Sequence, residues 1–324
     1  MKADEFDSII FDCDGVLIDV TKSYDTTINK TIRYVLKELD CDFTQYLGGV
    51  PLHDELLLKF KSTGGFNDEI DIAYAGILCY VAAKIRPFSP YFVVDDMLRD
   101  ADDGGIAYIE NKLQAQFRDN NNKTGNGMVF SDVKARLGYP SADKNDLIHA
   151  TFDQLFFGPE LYEKIFQKKS KFSDKGLIEN DNVIVTSELI ETLKKKFNDK
   201  IAIVTGRGFN AISSSLKEIL NQFNVENSVF LEDESRDLAK PNPQSLIRAM
   251  KGLGSKNCLY VGDSMEDMIL AQKASEFGFQ TTFCGIYGSG KLPEMKKKLF
   301  AKHGVPLILE TINHLPDILM IRKA

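Results

Sequence analysis

Four separated segments of the chain carry side chains suited to charge chemistry: Asp12-Cys13-Asp14-Gly15, Thr205-Gly206-Arg207, Lys240-Pro241, and Gly262-Asp263-Ser264 followed by Asp267. Gathered in one place, the carboxylates Asp12, Asp14, Asp263 and Asp267 repel one another. Two unit charges roughly 4 Å apart interact by about 4 kcal/mol at an effective dielectric near 20. Such a set needs a cation, and oxygen-only ligands favour Mg²⁺, which takes a few carboxylates, waters and a substrate oxygen. The Thr205 hydroxyl and the amides of the Thr205-Gly206 turn can donate to a phosphate, while Lys240 supplies compact positive charge. Together these groups point to phosphoryl transfer. One carboxylate attacks phosphorus, and a second one two residues on protonates the leaving oxygen and then activates water. Unaided hydrolysis of a phosphate monoester is so slow that enzymes supply up to ~10²¹-fold, which explains why so much charge would be concentrated in one site.

The elements that must position these groups are short apolar runs, each ending just before one of the segments. Ser8 to Phe11 reads as a buried strand that delivers Asp12 and Asp14 at its C-terminal end. Further strands are expected at Ile201 to Val204, Val229 to Leu231, Cys258 to Val261, Thr281 to Cys284 and Leu307 to Leu309. Amphipathic helical patterns separate them at Ser187 to Lys196, Phe209 to Phe223, Asn242 to Leu253 and Met265 to Phe277. Alternation of this kind predicts an α/β fold with a doubly wound parallel sheet, and all C-terminal strand ends of such a sheet share one edge. Between the first strand and this unit lie helical patterns with few strands: about Val20 to Leu39, His53 to Phe60, Glu69 to Ile85 and Lys144 to Phe156. Gly64-Gly65, Pro87 to Pro90 and the polar tract 119–127 break them. A chain of 324 residues is long enough for two domains or for one core with a large insertion. The pattern selects the second, with a core of residues 1–19 and 182–324 and an inserted helical domain of residues 20–181.

In order and composition the four segments resemble the signatures of the haloacid dehalogenase-like superfamily, and specifically its Mg²⁺-dependent phosphatases. Phe11 to Asp19 looks like the first signature, Ile203-Val204-Thr205-Gly206 the second, Lys240-Pro241-Asn242-Pro243 the third, and Val261 to Asp267 the fourth. The resemblance implies a Rossmann-like core, Asp12 as nucleophile and Asp14 as general acid and base. It also implies Thr205, Gly206 and Lys240 as phosphate ligands, and a Mg²⁺ held by Asp12, the Asp14 backbone carbonyl, Asp263 and, directly or through water, Asp267. An insertion between the first and second signatures is similar to the helical cap of the branch containing phosphoglycolate phosphatase and β-phosphoglucomutase. Here it is longer than the usual cap of that branch. Where the mutases carry a histidine, this chain places Tyr24, which favours hydrolysis over the alternative of a phosphomutase. The segment Lys61 to Glu69 is similar to one in a functionally uncharacterised branch and names no substrate. A non-catalytic binding or regulatory module is a further alternative, but such a module has no chemical need for Asp14.

Composition bounds the partners. With 40 Lys and Arg against 47 Asp and Glu, the formal charge of -7 argues against a dedicated nucleic-acid or anionic-membrane surface. The expected partner is a small phosphorylated metabolite bound by a monomer or homodimer. The absence of a long apolar run, of a basic leader and of any CxxC pair among the 5 cysteines suits a cytoplasmic protein with free thiols. Cys13 reads as a packed small hydrophobe, and none of the four histidines has metal-ligand spacing. Arg207 is open between binding a substrate phosphate and a solvated or salt-bridged role. Gly64-Gly65-Phe66-Asn67 is either a loop facing substrate or a helix stop followed by a cap. Gly285 to Lys291 has the glycine and lysine spacing of a nucleotide phosphate loop, but Leu292 replaces the hydroxyl residue that would hold Mg²⁺. It is expected instead to be a glycine-rich loop near the active-site edge.

Overall fold

The structure, a computed structural model, describes residues 6–39, 50–66, 68–85, 88–101, 104–117, 130–141 and 145–321. The polar tract 119–127, Asn67 and Cys41 lie outside the described residues. Contacts divide the chain into two compact units, residues 1–21 with 180–324 and residues 22–179.

The first unit is built on strands β1 (Ser8–Phe11), β2 (Ile18–Asp19), β3 (Asn182–Val183), β4 (Ile201–Thr205), β5 (Val229–Phe230), β6 (Asn257–Gly262), β7 (Gln280–Ile286) and β8 (Leu307–Leu309). Six of them form one parallel sheet in the order β5-β4-β1-β6-β7-β8. Every residue of β1 and β4 is buried, as expected for strands covered on both faces. β1 lies at the centre, with Phe11 in register with Ile203 of β4 on one side and Val261 of β6 on the other. The chain builds outward from β1 first through β4 and β5, then through β6, β7 and β8. The point where a doubly wound sheet reverses direction is where its strand ends leave a crevice for ligands.

β2 and β3 pair antiparallel, Ile18 with Val183 and Asp19 with Asn182, so the chain leaves the first unit and returns to it at adjacent points. This pair was not foreseen, because two-residue strands carry no readable periodicity.

Among the described residues of the second unit, seven helices follow one another: α1 (Tyr24–Glu38), α2 (Asp54–Ser62), α3 (Glu69–Ile85), α4 (Pro90–Leu98), α5 (Gly105–Phe117), α6 (Phe130–Leu137) and α7 (Leu147–Phe166). Its described residues contain no strand. α3 is the central element and packs against α1, α4, α5 and α7. Its apolar residues Ala73, Ile77, Leu78 and Val81 are fully buried, which explains why it is hydrophobic all round.

Helices α8 (Ser187–Phe197), α9 (Phe209–Leu216), α10 (Gln244–Gly252), α11 (Met265–Glu276), α12 (Pro293–Lys302) and α13 (Leu315–Ile318) complete the first unit. Ile10, Val204, Leu246, Met250, Tyr260 and Phe283 belong to its core, all buried. The helix expected over Phe209 to Phe223 is α-helical only to Leu216 and continues as a 3₁₀ segment to Gln222. Among the described residues no helix is long and apolar enough to cross a membrane.

Candidate active site

Asp12 is the first residue past β1, and its amide donates to the Val261 carbonyl at 2.8 Å, a bond that extends the β1–β6 ladder by one step. The chain then turns sharply: the amides of Val16, Leu17 and Ile18 all donate to the Cys13 carbonyl. Gly15 makes this possible at φ 71°, and a Cβ there would sit 2.0 Å from Asp263 Oδ2. Only glycine tolerates both the left-handed backbone and that approach, so the turn lies directly against the first carboxylate after β6.

Lys240 joins the carboxylates. Its Nζ donates to Asp12 Oδ1 and to Asp267 Oδ1, both at 2.7 Å, and it is almost completely buried. Asp267 is the N3 residue of α11 and closes a capping box with Ser264. Its Oδ2 accepts from the Asp263 and Ser264 amides and the Ser264 hydroxyl, while its Oδ1 also accepts from the Tyr260 hydroxyl. Asp263 is more open, and its Oδ2 accepts from Lys296 Nζ of α12 at 2.6 Å. One carboxylate oxygen each from Asp12, Asp263 and Asp267 lie within 4.8 Å of one another, close enough to hold a metal ion.

Burial pushes the Asp12 carboxyl well above the usual carboxylate range; Lys240 opposes this, while Asp267, Asp14 and Asp263 add to it. Lys240 is pulled down by burial, but Asp12 and Asp267 outweigh that and hold it charged far above the usual lysine range. For Asp267, burial is overcome by Lys240, Ser264 and Tyr260, so this carboxylate sits below its usual value. Burial thus prevails at Asp12, while the donors around Asp267 prevail over it.

Thr205 ends β4 and is buried, with its Oγ1 accepting from the Arg207 amide at 3.3 Å. Gly206 is exposed, and a Cβ there would meet nothing within 4 Å, so the turn faces open space. The next amides of this segment are already taken: Gly208 donates to Glu232 and Phe209 to Asp233.

Of the readings open for Arg207, the salt-bridged one holds. Its side chain is fully buried, with Nε 2.6 Å from Asp14 Oδ1 and NH1 donating to Asp181 Oδ2 at 2.7 Å. Asp181 and Lys296 were missed from the sequence, since neither belongs to a local motif. The glycine-rich loop lies at the same edge, where the Ser289 hydroxyl donates to the Gly15 carbonyl. Cys13 is buried, as its apolar reading required. Tyr24, in the second unit, is also buried and stacks on Phe156 with ring centroids 4.4 Å apart.

A central-strand aspartate pair facing a lysine and two further aspartates across the switch point of a parallel sheet defines a hydrolase of the doubly wound class. Residues 160–275 match the family model for haloacid dehalogenase-like hydrolase. The matched segment contains Thr205, Lys240, Asp263 and Asp267 but not Asp12 or Asp14. A search of the curated proteins finds no match. Among solved structures the chain is similar to phosphatase Tt82 from Thermococcus thioreducens, with 21% identity, TM-score 0.54 and coverage of 91% of this chain and 99% of that one. It is also similar to a predicted phosphoglycolate phosphatase from Haemophilus somnus 129pt, with 15% identity, TM-score 0.50 and coverage of 97% and 98%. At these identities the likeness is one of fold.

Proposed function

We propose that the protein is a Mg²⁺-dependent phosphomonoester hydrolase that acts on a small phosphorylated metabolite through an aspartyl-phosphate on Asp12. The observation that carries this reading is the placement of Asp12 at the switch point, bonded to Lys240 at 2.7 Å and grouped with Asp263 and Asp267. The oxygen-only donor set fits Mg²⁺. The upward shift of the Asp12 carboxyl supports the same reading, because attack requires the carboxylate and a divalent cation adds to the positive charge that Lys240 supplies. Asp12, Asp263 and the Asp14 backbone carbonyl would hold the ion, with Asp267 behind them, since its oxygens already accept from Lys240, Tyr260 and Ser264. When bound, Mg²⁺ neutralises the carboxylates and draws charge from the phosphoryl oxygens.

In the first half-reaction the Asp12 carboxylate attacks phosphorus, the bond to the leaving oxygen breaks, and Asp14 gives that oxygen a proton. In the second, Asp14 takes a proton from water as the water attacks the phosphorus of the aspartyl-phosphate, releasing phosphate and restoring Asp12. Lys240 and the Thr205-Gly206 turn hold the phosphoryl oxygens. We assign substrate choice to the inserted unit, residues 22–179, on the ground of its position between the first and second signatures. The packing of Tyr24 against Phe156 supports hydrolysis over the mutase alternative, because a ring committed to a helical core is not available as an acid or base. The test is inorganic phosphate release from a panel of phosphomonoesters with and without Mg²⁺. Phosphoglycolate, hexose phosphates, nucleoside monophosphates and histidinol phosphate belong in it. Release with Mg²⁺ is expected for at least one ester, and isomerisation without phosphate release would favour the mutase.

A further inference from the structure

A guanidinium taken wholly out of water must have its charge and its donors matched. The charge of Arg207 is met by two distinct carboxylates. Its terminal nitrogens face Asp181, with NH1 at 2.7 Å from Oδ2 and NH2 at 3.3 Å from Oδ1. The Ser215 hydroxyl of α9 locks that pair from the side, accepting from NH1 at 3.1 Å and donating to Asp181 Oδ2 at 2.7 Å. Nε lies 2.6 Å from Asp14 Oδ1 as an ion pair. Arg207 and Asp181 have side-chain exposures of 0% and 2%, whereas Asp14 retains 21%. The buried end of this chain of charges is fixed and its last carboxylate reaches the surface of the site.

We propose that Arg207, anchored by Asp181 and Ser215, is the positioning residue of Asp14. The fork bonded to Asp181 sets the plane of the guanidinium, and the ion pair at Nε holds one oxygen of the Asp14 carboxylate against it, which limits where the other is presented. A lysine could neutralise Asp14 but could not at the same time bond Asp181 through a planar fork. Substrate phosphate has no access to this guanidinium.

The proposal rests on the reading of Asp14 as the acid of the first half-reaction, so the experiment separates the two. In a phosphoryl-enzyme scheme kcat/KM covers only the steps through departure of the leaving group. Phenyl phosphate needs a proton at that oxygen and 2,4-dinitrophenyl phosphate does not. Asp14→Asn should therefore lose far more kcat/KM on the phenyl ester, and an equal loss on both esters would remove the acid reading itself. Given that selective loss, Arg207→Lys and Arg207→Met should reproduce it, with about tenfold or more extra loss on the phenyl ester, within the ~10²–10⁴ that general acid catalysis supplies. Equal losses on both esters in the folded Arg207 variants would overturn the positioning role, because a merely structural defect does not distinguish leaving groups. Should neither Arg207 variant fold, Asp181→Asn carries the same test with a smaller selective loss expected, and an equal loss on both esters would overturn the proposal there too.

Discussion

At the edge of the sheet Asp12 must share Lys240 with Asp267 and faces Asp263 as well. Inside the inserted unit, by contrast, Asp71 accepts from the Tyr139 hydroxyl at 2.5 Å, and Asp146 pairs with His149 Nδ1 at 2.6 Å. Asp146 also accepts from Ser141 Oγ at 2.6 Å and from the first amides of α7. Both regions bury carboxylates, yet burial prevails at Asp12 while hydrogen bonds prevail at Asp146. A group held at an energetic cost marks a place where something else is meant to bind, while a group given its own donors marks architecture. The same distinction separates Asp267, which is rich in donors, from Asp12, which is not.

The comparison is broken most severely at Asp12. Asp12→Asn should lower phosphate release by about a thousandfold or more, the scale of losing a nucleophile. In the presence of a chelator its thermal unfolding midpoint should nevertheless equal or exceed that of the parent chain, because a buried like charge has been removed. A marked drop in that midpoint would place Asp12 among the architectural carboxylates. Next in size is Mg²⁺ itself. Saturating ion should stabilise the parent by mass action, about 2.7 kcal/mol at a hundred times Kd. Asp263→Asn should show much less of this shift in a melt, and an undiminished shift would put the ion elsewhere.

Tyr139→Phe sharpens the opposite side. It leaves the Asp71 carboxylate without that donor and should cost about 1–3 kcal/mol in urea unfolding. Turnover of an aryl phosphate per folded molecule should stay within about threefold of the parent. The smallest effect is expected from pH. Burial pushes Asp146 up, but the His149 and Ser141 hydrogen bonds outweigh it and hold this carboxyl below its ordinary 3.8. A depressed carboxyl contributes stability above the unfolded value and loses it as pH falls through the folded one. Between pH 4 and the depressed value, Asp146→Asn should therefore flatten the acid slope of stability. An unchanged slope would remove Asp146 from the acid-sensitive set.

Legibility in the sequence followed locality. Asp12, Thr205, Lys240 and Asp263 could be found because each directly follows a strand or lies in a short motif, and a parallel sheet brings strand ends together without further information. The Arg207–Asp181 pair could not, since Asp181 lies in no motif and only the return of the chain into β3 brings it within reach of Arg207. α3 was readable over its full length, Glu69 to Ile85. α4 was hidden because Pro90 looks like a breaker, although at the first helical position proline costs nothing. The helix read as ending at Phe156 continues as α7 to Phe166 across Gly158-Pro159, where Gly158 leaves helical geometry at φ 70° and the chain resumes its coil after the kink. The glycine-proline pair therefore ends the first helical segment close to Phe156, and a second begins beyond it.

The most direct test of the account is to trap the phosphorylated protein. Asp14→Asn, mixed with Mg²⁺ and 2,4-dinitrophenyl phosphate and quenched in acid, should carry one phosphoryl group on the peptide containing Asp12, because attack proceeds and hydrolysis of the intermediate is slowed. Mass spectrometry should find that group on Asp12, and it should be absent when Asp12 is replaced by Asn. A phosphoryl group on any other residue, or turnover by Asp12→Asn with no trapped intermediate, would contradict the account.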